Sequence, residues 1–185
     1  MTASRPLRHA RFPVAAMLSL VLTGCGFQLR GAPPVPHGLQ PLAVSCVSEI
    51  PEDLCQAVTE QLELGKIDVR EPDQADYILR LRGFRQDRRA SAITVQASAA
   101  EYTLRQTVDM DVLTRDDVPL IAETRLNASE TYRYDETNVL AKQREEEELR
   151  QQLYDRLAQQ IIFRLAPLTD SRVTQLREQT AKDQD

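Results

Sequence analysis

Polar and apolar positions along this chain recur with two different periods, and each change of period marks a change of element. Residues 42–47 (Leu-Ala-Val-Ser-Cys-Val) are a short apolar run that predicts a first strand. Pro51 then opens a helix with Glu52 and Asp53 in its first turn, where the helix dipole favours acids. Leu54, Val58 and Leu62 repeat every fourth residue on one face, and Gly65 is a C-terminal stop. Over residues 76–84 the period becomes two, with Tyr77, Leu79 and Leu81 on one face and Ile78, Arg80 and Arg82 on the other. Residues 85–98 are polar and small and read as a long hairpin connection. The clearest strand covers residues 101–113: Tyr102, Leu104, Val108, Met110 and Val112 share a face that only Gln106 interrupts, and the opposite face is polar. After a turn at residues 114–119, Leu120, Ala122, Thr124, Leu126 and Ala128 point inward from a fourth strand. Thr137 or Asn138 caps a long helix striped by Leu149, Leu153, Leu157, Ile161 and Leu165, which Pro167 ends.

The order β-α-β-β-β-α predicts an α+β fold. The first two strands are parallel across a helical crossover, and the later ones are antiparallel hairpins. Both helices must bury their stripes, so they belong on one face of a four-stranded mixed sheet, giving a two-layer sandwich with a polar outer face. This domain is expected over residues 42–168, with residues 169–185 as a polar, flexible tail.

The front of the chain follows another logic. Residues 1–11 are basic and residues 12–22 are apolar. A run of eleven is too short to cross a hydrocarbon core, which takes about 20 helical residues. It reads as a secretory signal peptide over residues 1–24. Leu22-Thr23-Gly24-Cys25 looks like a bacterial lipobox, which makes Cys25 the lipidated first residue of the mature chain. Gly26 rather than Asp after it points, by resemblance to sorted lipoproteins, to the outer membrane. Membrane contact then comes through the N-terminal acyl chains. Four prolines between Ala32 and Pro41 suggest an extended tether over residues 25–41, with His37 in solvent.

With Cys25 assigned to lipid, Cys46 and Cys55 remain as a pair in an oxidising compartment, with eight residues between them. They are read as a structural disulfide, with two free buried thiols as the alternative. The charge balance also changes once the leader is set aside. The whole chain has 28 acidic and 23 basic residues, but residues 1–24 hold Arg5, Arg8 and Arg11 and no acid. The mature part is therefore the more acidic, which argues against nucleic acid as a partner. His9 lies in the leader and His37 in the tether, and no motif for nucleophilic catalysis, phosphate cradling or metal binding stands in the chain. The protein is read as non-enzymatic, with no cofactor and no metal. Glu145–Glu148 reads as a solvated helix face. Arg80, Arg82, Arg85, Arg88 and Arg89, with Arg105 across from them, concentrate positive charge in this acidic domain. They suit either a phosphorylated glycolipid or cross-strand pairing with Glu101, Asp109 and Asp111.

Four short segments, taken in order, carry a family resemblance: Cys25-Gly26-Phe27-Gln28-Leu29-Arg30-Gly31, Ala100-Glu101-Tyr102, Leu140-Ala141-Lys142 and Tyr154-Asp155-Arg156. Over residues 18–168 the chain resembles the LPS-assembly lipoprotein LptE family. The resemblance implies a sandwich held inside the LptD outer-membrane β-barrel as plug and assembly partner, binding lipopolysaccharide on its way to the surface. Lys142 matches one basic position linked to that ligand in the family. At the other, Thr94 replaces a basic residue, and Arg88 and Arg89 are the nearby substitutes. Without the resemblance, the chain reads as an anchored periplasmic interaction domain, and a generic adaptor for other envelope components is the alternative.

Overall fold

A computed structural model describes residues 35–93, 99–134 and 138–183. The signal peptide, Cys25, Thr94 and Thr137 lie outside the described residues. The order is β1 (Leu42–Cys46), α1 (Glu52–Leu64), β2 (Tyr77–Ile93), β3 (Ala99–Thr114), β4 (Pro119–Arg133), α2 (Val139–Leu165) and α3 (Asp170–Asp183). The strands form one mixed sheet in the order β1-β2-β3-β4. β1 runs parallel to β2, with Leu42 beside Tyr77 and Cys46 beside Leu81. The β2–β3 and β3–β4 pairs are antiparallel.

α1 and α2 lie side by side on one face of this sheet, as expected for a two-layer α+β sandwich. Leu54, Val58 and Leu62 of α1 share one core with Leu79 and Leu81 of β2 and with Leu104, Val108, Met110 and Val112 of β3. The α2 stripe adds Leu153, Leu157, Ile161 and Leu165, all fully buried. Each such side chain contributes about 1.5–3 kcal/mol through burial. Cys46 and Cys55 are disulfide-bonded, which ties the end of β1 to the first turn of α1.

The structure corrects the sequence reading in four places. Residues 85–98 are not simply a connection, because β2 continues to Ile93 and β3 begins at Ala99. A bulge between Arg82 and Arg85 interrupts the register, and Gly83 within it has φ +61°. A Cβ at Gly83 would sit 2.6 Å from Asp109 Oδ2, so the position needs glycine for space as well as for its backbone. Beyond the bulge the strand persists despite its polarity because its side chains find partners across the ladder.

The second correction is at the end of the chain. Residues 170–183 form α3 rather than a flexible tail, and Leu168 and Val173 are buried in the core with Leu176 packed against it. Three apolar positions among many polar ones are enough to seat the helix. Third, the Pro-rich segment is not free from Val35 onward, since Val35 and Leu39 are buried, although His37 is exposed and takes a hydrogen bond from Gln40. Fourth, Ala122 faces solvent because register shifts in the β3–β4 pair displace that stretch of β4. At the start of α2, Asn138 holds the N-cap position without a capping bond from its side chain.

Leu157→Ala should lower the unfolding free energy in urea by about 2–5 kcal/mol. Phe163→Ala, on a side chain 55% exposed, should change it by about 0.5 kcal/mol or less. Equal losses would show that the stripe is not what holds α2 in place. The Cys46→Ser/Cys55→Ser double variant should lose about 2–3 kcal/mol, the loop-closure entropy of so short a loop, in the same measurement.

Candidate functional site

The arginines that the sequence groups together belong to two different surfaces. On the sheet face away from the helices, Arg80 grips Asp111 with two hydrogen bonds of 2.7 and 3.1 Å, and Arg82 bonds both Asp111 and Glu123. Asp109, one register step along, takes two bonds of 2.7 and 2.8 Å from Arg125 of β4. Both aspartates are almost inaccessible, which is tolerable only because each meets a bidentate guanidinium. The Arg125 bond holds the Asp109 carboxyl below the usual range against the opposing effect of burial. Of the predicted cross-strand acceptors, Asp111 pairs as expected, whereas Glu101 pairs with Arg133 and Asp109 with Arg125. Arg89 lies on this face too, its side chain 83% exposed and paired with Asp87.

Arg88 lies on the helix side. Its guanidinium sits over the Tyr102 ring at 4.5 Å from the centroid and donates to Glu146 of α2 at 2.9 Å. Tyr132 of β4 donates its hydroxyl to the same Oε2 of Glu146 at 2.5 Å. Arg150, one helical turn further on, reaches the other carboxylate oxygen at 3.5 Å and also pairs with Glu147. Three tyrosines form the aromatic wall: Tyr102 stacks on Tyr132 at 6.1 Å and meets Tyr134 edge-on at 5.3 Å. Such contacts add about 0.5–1.5 kcal/mol per pair beyond burial.

Below this group, Gln106 donates to Gln86 and to the Arg150 carbonyl. The Gln106 side-chain oxygen and Arg150 Nε are buried without partners among the described residues. The residue that broke the apolar face of β3 is thus the floor of a polar region under the first half of α2. Lys142 stands one turn before Glu146 and pairs with Glu145 at 2.6 Å. The structure therefore places Lys142 and Arg88 at the same end of the sandwich, and Arg89 on its other side.

Burial raises the Glu146 carboxyl, but the bonds from Tyr132 and Arg88 outweigh it and leave the group below its ordinary range. Burial first, and the Glu146 bond second, push Tyr132 up to about 12. Sequence reasoning missed Tyr132, Glu146 and Arg150. The available signal was helical spacing, since Lys142, Glu146 and Arg150 recur every fourth residue and so share one face of α2. Among the described residues no group of three or more His, Cys, Asp or Glu is placed to hold a metal ion.

A two-layer sandwich of this class is also seen in the crystal structure of a minor lipoprotein from Acinetobacter baumannii. That structure superposes with a TM-score of 0.58 at 23% identity, over 68% of this chain and 90% of that one. A family model for LptE, described as lipopolysaccharide-assembly, matches residues 39–165. The LPS-assembly lipoprotein LptE of Yersinia enterocolitica is 33% identical over 164 residues, which are 86% of this chain and 77% of that protein. Its counterpart in Pectobacterium atrosepticum is 30% identical over 179 residues, 94% and 95% of the two chains. This chain belongs to the LptE family.

The Tyr132 shift makes a prediction about pH. A phenol whose proton is held more tightly in the folded state stabilises the fold fully below its unfolded value of about 10, and that contribution is lost as pH rises through the folded value. Unfolding free energy should therefore fall between pH about 10 and about 12. In Tyr132→Phe this component should be absent, as read by urea titrations at stepped pH. An unchanged slope in the variant would assign the loss to other groups.

Proposed function

We propose that this protein is a non-enzymatic outer-membrane lipoprotein, anchored through acyl chains on Cys25, that plugs and helps assemble the LptD β-barrel and binds lipopolysaccharide during export. The observation that carries the reading is family membership over residues 39–165, from just before β1 to the end of α2. The sheet face away from the helices supports it. Its guanidiniums and carboxylates are pinned in pairs across β2, β3 and β4, a surface suited to the polar interior of a water-filled barrel.

Lipopolysaccharide carries phosphate on a sugar backbone, and guanidinium groups match phosphate geometry through two hydrogen bonds at once. Lys142 enters through the family resemblance, and Arg88 through its place beside three tyrosines at the same end of the domain. Arg89, on the opposite face, is a separate contact.

Gentle detergent extraction of the tagged, full-length protein should co-purify a membrane barrel identifiable by mass; recovery of a free monomer would overturn the barrel role. Lys142→Asp and the double variant Arg88→Asp/Arg89→Asp should each weaken lipopolysaccharide binding about tenfold, the scale of one lost charge-assisted contact, while keeping the barrel. Unchanged binding in both would remove these residues from the ligand site.

A further inference from the structure

The Glu146 carboxylate sits where three donors converge. Arg88 Nη1 and the Tyr132 hydroxyl both point at Oε2, from 2.9 and 2.5 Å, and Arg150 Nη2 lies 3.5 Å from Oε1. Two guanidiniums and a phenol around one anion are more than a surface glutamate needs for solvation. They form a cradle whose anion happens to be tethered to the same chain. Arg88 is further fixed by the Tyr102 ring beneath it, and Arg150 keeps a buried Nε–H without an acceptor.

We propose that Arg88, Tyr132 and Arg150 form an anion site for a phosphate monoester on a glycolipid, and that Glu146 occupies it in the unliganded protein as an internal competitor. A phosphate monoester offers three acceptor oxygens and up to two negative charges, whereas the carboxylate offers two oxygens and one charge. The incoming group can therefore engage both guanidiniums and the phenol together, while Glu146 swings toward water. The Glu146 side chain is 19% exposed, so one edge of it already meets water. Tyr102 and Tyr134, both half-buried, stand beside the cradle where the sugar that bears the phosphate would lie. The competitor also gives Arg88 a counter-charge before ligand arrives, as Glu147 does for Arg150.

Glu146 thus sets the affinity, because ligand binds only in the fraction of molecules whose cradle is open. This inference rests on the proposed function only in taking lipopolysaccharide as the source of the phosphate. The test uses the full chain in detergent, with purified lipopolysaccharide, the same material enzymatically dephosphorylated, and inorganic phosphate as probes.

Glu146→Ala should bind lipopolysaccharide about tenfold more tightly than the unaltered protein, with no gain for the dephosphorylated form. Adding Arg88→Ala should abolish the gain. Should Glu146→Ala fail to fold, Glu146→Gln, neutral and of nearly equal size, should show the gain in the same direction. Binding with equal affinity by the variant and the unaltered protein would overturn the competitor and leave the proposed function standing. Absence of binding by either would overturn both the cradle and the lipopolysaccharide part of that function. A gain for inorganic phosphate with none for lipopolysaccharide would overturn the glycolipid as the source.

Discussion

The Leu153, Leu157, Ile161 and Leu165 stripe of α2 meets the apolar positions of β3 and β4 in a single core, and this contact decides where everything else on the helix side can stand. Once the C-terminal half of the helix is seated, its first half must lie over the distal part of the β2–β3 hairpin. There the sheet offers Gln86, Arg88, Tyr102 and Gln106, with Leu104 the one leucine among them. The first half of α2 is accordingly held mainly by charge-assisted contacts, and the second half by burial. The two kinds of attachment differ in strength and in solvent dependence: apolar burial is not screened by salt, whereas exposed ion pairs are. Local opening of α2 is therefore easier at its N-terminal end.

The other sheet face solves a different problem. Asp109 and Asp111 stand on the central strand β3, flanked by β2 and β4, and are nearly inaccessible. A carboxylate there without a partner would be strongly destabilising, so Arg80 and Arg125 are structural residues before they are anything else. The same pairing fixes charge in a defined pattern on a flat face. Such a pattern sorts partners by electrostatic match more than it adds raw affinity.

Much of the architecture was legible from periodicity, because Leu79, Leu81, Leu104, Val108 and the α2 stripe each repeat with the period of their element. What escaped had particular physical causes. α3 is nearly all polar, and only Val173 and Leu176 signal its seat. The length of β2 was hidden because its outer half is stabilised by partners distant in sequence, such as Gln106 and Glu146, which no local pattern reveals. For the same reason Glu146 looked like a solvated member of an acidic run. Lys142, Arg88 and Arg89 were all nominated from the sequence, yet composition has no means of saying that the latter two stand on opposite sides of a sheet.

Strand alternation alone puts these neighbours on opposite faces, and Gly83 decides which of them faces inward. Along an unbroken strand, the face shared by Leu79 and Leu81 would continue through residues 83, 85, 87 and 89, and Arg89 would lie beneath α2. The bulge inserts one residue into the count, so even-numbered positions inherit the inner face: Phe84 meets Tyr154, Gln86 meets Gln106, and Arg88 meets Glu146. A single glycine thus acts as a parity switch for the distal hairpin. Which of two neighbouring, chemically identical arginines faces the tyrosines, and which faces outward, is decided five residues earlier by a position that carries no side chain at all.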